Sequence, residues 1–236
     1  MNHLATAFHG ANDQKQRAAI AAVEMVQSGM RLGLGTGSTA AYAIAELGAR
    51  LADGRLKDVR GVPTSLASAA LAERHGVLLM ELGAQGVDLA IDGMDELDPA
   101  LNAIKGLGGA LAREKIVAAR ADCFVLVGDA SKRVSRLGEK APVPVEVLPF
   151  GWRAAQAELE ALGCAAVLRT RRESREPFVS DNGNLVLDCR FEKPFDAPAL
   201  AGAIDHVVGV VEHGLFLGMA DVAFVATDSG VLQLPS

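Results

Sequence analysis

Apolar residues in this chain fall into two kinds of run that alternate. Short dense runs read as mostly buried strands: Met30–Leu34, Val59–Val62, Val77–Leu82, Val87–Ile91 and Cys123–Val127. Between them lie stretches with apolar residues at helical spacing. Asn12–Gln27 carries Ala18, Ala22, Val23 and Val26 on one face and stops near Gly29, and Ala40–Leu51, Leu66–His75 and Leu111–Ala119 follow as further helical segments. Strand, turn and helix repeated in this order predict right-handed crossovers and a parallel sheet. The expected fold class is α/β, a Rossmann-like, mostly parallel sheet with helices on both faces.

The pattern shifts at the proline-rich stretch Ala141–Pro149. Beyond it come a strand (Val143–Leu148), a helix (Trp152–Leu162) and two strands (Ala165–Arg169 and Leu185–Arg190), the second after the turn Asp181-Asn182-Gly183. A helix (Pro198–Val207) and a strand near Val210 complete the order β-α-β-β-α-β, which is the ferredoxin-like signature. A smaller α+β domain is therefore expected over residues 142–211. Its charged run, Arg169–Glu176, reads as a solvated face. Leu215–Ala226 returns to glycine-punctuated apolar strands, so residues 1–141 and 212–236 are expected to form the Rossmann-like domain.

Composition excludes several classes. Half of the 236 residues are apolar and 22% are charged, the balance of an ordinary soluble globule. The net charge of −6 argues against broad nucleic-acid binding, so any anion is caught locally. Cys123, Cys164 and Cys189 fit neither a disulfide framework nor a zinc site, which predicts a reducing compartment. The N-terminus has no continuous apolar core of a signal peptide, and no apolar run is long enough to cross a bilayer. A cytoplasmic protein that binds neither membrane nor nucleic acid is expected.

The chemistry concentrates at three strand ends. Gly33-Leu34-Gly35-Thr36-Gly37-Ser38-Thr39 joins a strand to a helix, and strand, glycine loop and helix together make a phosphate cradle. The glycines admit a close anion, and the helix start offers free N–H groups. A P-loop would need Gly-Lys-Ser/Thr, which is absent. Gly35, Gly37 and Ala40 match the loose dinucleotide pattern, but the second strand ends in Pro63-Thr64-Ser65 without the ribose-binding acid. A small phosphate fits better. Asp92, Asp95, Glu96 and Asp98 follow the strand ending at Ile91, Lys105 opens a second glycine loop, and Glu114 and Lys115 lie in the helix after it.

Such a set suits enediolate chemistry on a sugar phosphate. Glu114 can take a proton from carbon beside a carbonyl, Lys105 can stabilise the oxyanion, and Asp92 or Asp95 can move protons among oxygens. The four acids could also bind a hard cation, but their spacing matches no calcium loop and the histidines are scattered. A site without metal or cofactor is expected.

GLGTGSTA, IDGMDELD, KGLGGALAREK and GDASKRV, in this order, together with VPVEVLPF and SDNGNLVLD, resemble the ribose-5-phosphate isomerase A family over nearly the whole chain. The resemblance implies a cofactor-independent enzyme of the non-oxidative pentose phosphate pathway. It would interconvert D-ribose 5-phosphate and D-ribulose 5-phosphate, as a homodimer or homotetramer. It also implies that Glu114 is the base, that Asp92 opens the ring and moves oxygen protons with Asp95 beside it, and that Lys105 stabilises the oxyanion. Thr36, Gly37, Ser38 and Thr39 match the substrate-binding loop, and Lys15 and Lys132 match lysines near the phosphate. Gly93, Met94, Gly106, Leu107 and Gly108 complete the expected substrate-binding set. Leu107 and Met94 depart from the glycine and alanine common in the family. Two rivals are a nicotinamide-dependent oxidoreductase, against which the missing acid after Val62 counts, and a non-enzymatic sugar-phosphate effector domain, which would have no need of Glu114.

Overall fold

The computed structural model describes residues 3–171 and 173–235. The chain opens with α1 (His3–Val23), which begins well before the expected Asn12. It ends early because Met25 and Val26 turn back to the carbonyls of Ala22 and Val23, the tight bonds of a closing last turn. β1 (Arg31–Leu34) passes through α2 (Ser38–Ala52) to β2 (Arg60–Pro63), then through α3 (Leu66–Arg74) to β3 (Leu78–Leu79). β4 (Leu89–Gly93) returns to the other side of β1. The two-residue strands β5 (Glu96–Leu97) and β6 (Ala103–Ile104) precede α4 (Leu111–Ala118), β7 (Phe124–Asp129) and a short 3₁₀ turn, Ala130–Lys132. Then come β8 (Val143–Val147), α5 (Trp152–Ala161), β9 (Cys164–Leu168), β10 (Leu185–Phe191), α6 (Ala197–Asp205) and β11 (Val210–His213). β12 (Leu215–Phe216), β13 (Val222–Thr227) and β14 (Gly230–Leu234) close the chain.

The large sheet runs β14-β13-β7-β4-β1-β2-β3. Every pairing in it is parallel except that of β14 with β13. Its two faces separate by alternation. Leu32, Leu34, Leu89, Ile91, Val125 and Val127 join Ala18 and Ala22 of α1 and Ala43, Ile44 and Leu47 of α2 in one buried core. Gly33 faces the other way, where a Cβ would lie 2.5 Å from Val117 of α4 and 2.7 Å from Ala90. Helices therefore cover both faces, as expected.

The chain divides into two compact units. The first comprises Met1–Met94, Arg113–Arg133 and Met219–Ser236, and the second comprises Asp95–Ala112 and Val134–Gly218. In the second unit the four-stranded antiparallel sheet has the order β11-β8-β10-β9, the ferredoxin-like arrangement of its β-α-β-β-α-β run. Val143, Val145, Leu187 and Cys189 pack there with Ala155 and Leu159 of α5 and Leu200 and Ile204 of α6. β12, β6 and β5 form a further small sheet, so Leu215–Phe216 and Asp95–Ala112 both belong to this unit. No helix among the described residues is long and apolar enough to cross a membrane.

Candidate active site

In the first unit, three adjacent parallel strands end on one rim. β1 leads into loop 35–39, β4 ends in Asp92-Gly93 and leads into Met94, and β7 leads into the turn bearing Lys132. The carboxyl ends of such strands are where open α/β sheets take their ligands. Gly35 donates its N–H to the carbonyl of Ile91 at 2.9 Å, which stitches the loop to β4. Gly37 caps α2 at φ +104°, a conformation that L side chains avoid, and no side chain caps the helix there. Its first N–H groups are left with backbone geometry suited to an anion. Lys15 reaches this loop from α1 and donates to Ser38 Oγ at 3.2 Å, while Thr39 is buried.

Asp92 is 2% exposed. Its Oδ1 accepts the N–H of Thr36 at 3.0 Å and of Gly93 at 2.7 Å, two donors that favour negative charge on that oxygen. Gly35 is glycine because Asp92 fills the space beside it: a Cβ there would fall 2.3 Å from Oδ1. Lys132 follows Asp129, whose Oδ1 accepts the N–H of Ser131 at 2.9 Å and caps the short turn. Gly128 makes room for Met94 and for the Lys132 stem, since a Cβ would meet Met94 Cε at 2.7 Å and Lys132 Cγ at 3.3 Å.

Glu114 sits in the first turn of α4 and is 4% exposed. Val117, three positions on and so on the same helical face, packs over Gly33 and Ala90. The far end of α4 lies at the lower edge of the sheet, where Asp122 donates to Val87 ahead of β4. Glu114 lies about one turn nearer the N-terminus of α4 than Val117, away from that lower edge. Asp92 is on the same side of the sheet as Ala90, two residues along β4, and also nearer the rim. Asp92 and the loop meet at this rim, and Glu114 lies buried at the end of α4 away from the lower edge.

In the second unit, Lys105 leaves β6 by donating its N–H to Gly214 at 2.9 Å. Its side chain is 2% exposed, with Nζ 5.4 Å from the centroid of Phe216, close enough for the ring face to attract the cation. Gly106 and Gly109 turn the loop at φ +104° and +81°, and Gly109 donates to the Gly106 carbonyl at 2.9 Å. Asp95 Oδ2 accepts the N–H of Leu107 at 2.9 Å, and the Leu107 side chain is exposed.

The acids of DGMDELD separate by role. Glu96, fully buried, accepts the N–H groups of Gly138, Lys140 and Ala141 at 2.6, 2.5 and 2.7 Å and anchors that turn. Asp98 accepts from the N–H groups of Ala100 and Asn102 and from the Asn102 amide. Both are structural. Among the described residues, no group of three or more His, Cys, Asp or Glu side chains is placed to hold a metal ion.

The charged run Arg169–Glu176 is not simply a solvated face, because Arg169 is only 11% exposed. It pairs with both carboxylate oxygens of Asp188, and its Nη1 donates to the carbonyls of Gly106 at 2.8 Å and Leu107 at 3.2 Å. Phe178 stacks 5.8 Å from the guanidinium and occupies the space that a Cβ on Gly109 would need. Sequence reasoning missed this brace. Its one legible trace is the alternation that puts Arg169 in line with the strand before it.

The sequence model of the family described as ribose 5-phosphate isomerase A (phosphoriboisomerase A) matches residues 60–230. The chain belongs to the ribose 5-phosphate isomerase A family. A ribose-5-phosphate isomerase A of Roseiflexus sp. (strain RS-1) is 54% identical over 94% of this chain and 96% of its own length. That of Deinococcus radiodurans is 47% identical over 93% and 96%. Among solved structures, a D-ribose-5-phosphate isomerase in complex with phospho-erythronic acid superposes with TM-score 0.92 at 40% identity, covering 95% of this chain and 98% of that one. The isomerase A of Methanocaldococcus jannaschii superposes with TM-score 0.89 at 43% identity, covering 94% and 98%.

Proposed function

We propose that this protein is a ribose-5-phosphate isomerase that interconverts D-ribose 5-phosphate and D-ribulose 5-phosphate through an enediolate. What supports this reading is a glutamate buried in the first turn of α4, the helix whose Val117 packs against Gly33 of β1, together with Asp92 buried beside a glycine loop of phosphate-binding character. Family membership and a structural neighbour holding a phosphorylated sugar acid support the substrate class.

In the proposed mechanism, loop 35–39 with Lys15 and Lys132 takes the 5-phosphate. Asp92, with Asp95, assists ring opening to the free aldehyde. Glu114 removes the proton from C2, and the electron pair moves into a C1–C2 double bond as the carbonyl oxygen becomes an oxyanion. Lys105 and the N–H groups of its glycine loop stabilise that charge. Asp92 carries a proton from O2 to O1, and Glu114 returns its own proton to C1, which leaves the ketone at C2. A single carboxylate serves both carbons because their protons lie on one face of a cis-enediol. No redox partner is consumed. The proposal extends to a homodimer or homotetramer working in the cytoplasm, in keeping with three free cysteines.

Glu114→Gln tests the reading. Binding of ribose 5-phosphate is expected to persist while turnover falls by about 10²–10⁴-fold or more, the usual contribution of a general base. Deuterium from heavy water is expected at C1 or C2 of the wild-type product, read by NMR. Retained turnover in the variant would remove Glu114 from the mechanism.

A further inference from the structure

β2 ends at Pro63 and is followed by Thr64-Ser65, where a dinucleotide fold would carry its ribose-binding acid. Hydroxyls stand there instead. Thr64, Ser65 and Ser68 are 2%, 5% and 4% exposed. Thr36 Oγ1 lies 2.8 Å from Thr64 Oγ1, 2.8 Å from Ser65 Oγ and 3.1 Å from Ser68 Oγ, while Ser65 and Ser68 are 2.9 Å apart. Thr64 Oγ1 donates to the carbonyl of Leu34 at 3.0 Å, and Ser68 Oγ donates to the carbonyl of Gly35 at 2.7 Å.

Each hydroxyl has one proton to give. Those of Thr64 and Ser68 go to the two loop carbonyls. Ser65 Oγ accepts from Thr36 and from the Ser68 N–H at 3.0 Å, and with the Ser68 proton on the Gly35 carbonyl it is Ser65 that donates between the two hydroxyls. The Thr36 proton is thereby spent inward. Two successive peptide units are held at both ends by this arrangement. In the first, Thr64 holds the Leu34 carbonyl and the Ile91 carbonyl holds the Gly35 N–H. In the second, Ser68 holds the Gly35 carbonyl and Asp92 Oδ1 takes the Thr36 N–H.

We infer that Thr64, Ser65 and Ser68 are positioning residues for the reaction: they orient the Gly35–Thr36 peptide that carries the phosphate loop and faces Asp92, and Thr36 acts through this cluster rather than by giving its hydroxyl proton to the substrate. The inference rests on reading loop 35–39 as the phosphate cradle.

The test compares Thr36→Val, Ser68→Ala, Thr64→Val and the double variant Thr36→Val/Ser68→Ala. Ser65 is left intact because it also caps α3. KM and kcat for ribose 5-phosphate, the inhibition constant of inorganic phosphate and the melting temperature are measured for each. Every single variant is expected to raise KM and the phosphate inhibition constant about three- to tenfold, the scale of one lost hydrogen bond. The double variant is expected to be no worse than about the poorer single one, since members of one network do not add. Thr64→Ser, which keeps the hydroxyl, is expected to return both constants toward wild type.

A rise in KM for Thr36→Val with Ser68→Ala and Thr64→Val unchanged would make Thr36 a direct ligand and overturn the inference. So would full additivity, or a fall in melting temperature with both constants unmoved. If wild type turns over ribose 5-phosphate but inorganic phosphate neither inhibits it nor binds, the cradle reading itself fails, and that result is distinct from failure of the cluster.

Discussion

Replacing Gly35 by alanine puts the proposed geometry under a calculable strain. The new Cβ would fall 2.3 Å from Asp92 Oδ1, 2.4 Å from Cγ and 2.5 Å from Cα. The carboxylate could swing aside, but Cα belongs to β4, which is paired to β1 on one side and β7 on the other. Carbon atoms settle at about 3.5 Å, so the loop must retreat by about 1 Å. A misplacement of that size costs on the order of 10²-fold in rate. Overpacking costs about 1–3 kcal/mol of stability, or roughly 2–12 °C in melting temperature for a chain of this length. Because the loop and Asp92 move together, KM is expected to rise and kcat to fall. A coupled assay for ketopentose formation from ribose 5-phosphate, run well below the variant's melting temperature, reads both. A Gly35→Ala enzyme within about threefold of wild-type kcat/KM would show that the Asp92–loop contact does not set the rate.

Arg169→Lys keeps the charge but loses the fork that spans Asp188 and two loop carbonyls, so kcat is expected to fall about tenfold with little change in the phosphate inhibition constant; an unchanged kcat would leave Arg169 a purely structural residue. Lys132→Ala is expected mainly to raise KM, because a phosphate contact is felt equally in ground and transition states; steady-state kinetics with KM unmoved would separate Lys132 from the substrate. Asp88→Asn probes the tie between β1 and β4. Hydrogen bonds from the Arg31 side chain, then from its N–H, hold the Asp88 carboxyl below its ordinary value. A depressed carboxylate stabilises the fold above its unfolded pKa and loses that contribution as pH falls through its folded one. The variant is expected to be less stable by roughly 1 kcal/mol at pH 7, with the gap closing below about pH 4. Melting curves at pH 7 and pH 3 check this, and a gap that stays constant would refute it.

The sequence by itself determined the crossover order, the ferredoxin-like run and the glycine loop between β1 and α2. Those signals are local, because burial of a strand or of one helical face imposes its period on neighbouring residues. Only the tertiary structure sorted the acids of DGMDELD, since the donors that fix Glu96 come from residues 138–141. It also assigned Asp95–Ala112 to the second unit, through strands too short to show any period. Arg169, called solvated from its charged neighbours, is largely covered and held by carbonyls far along the chain, and the hydroxyls of Thr64, Ser65 and Ser68 gain meaning only where β2 lies beside β1. A buried polar group is defined by its partner, and partners distant in sequence leave no periodic trace.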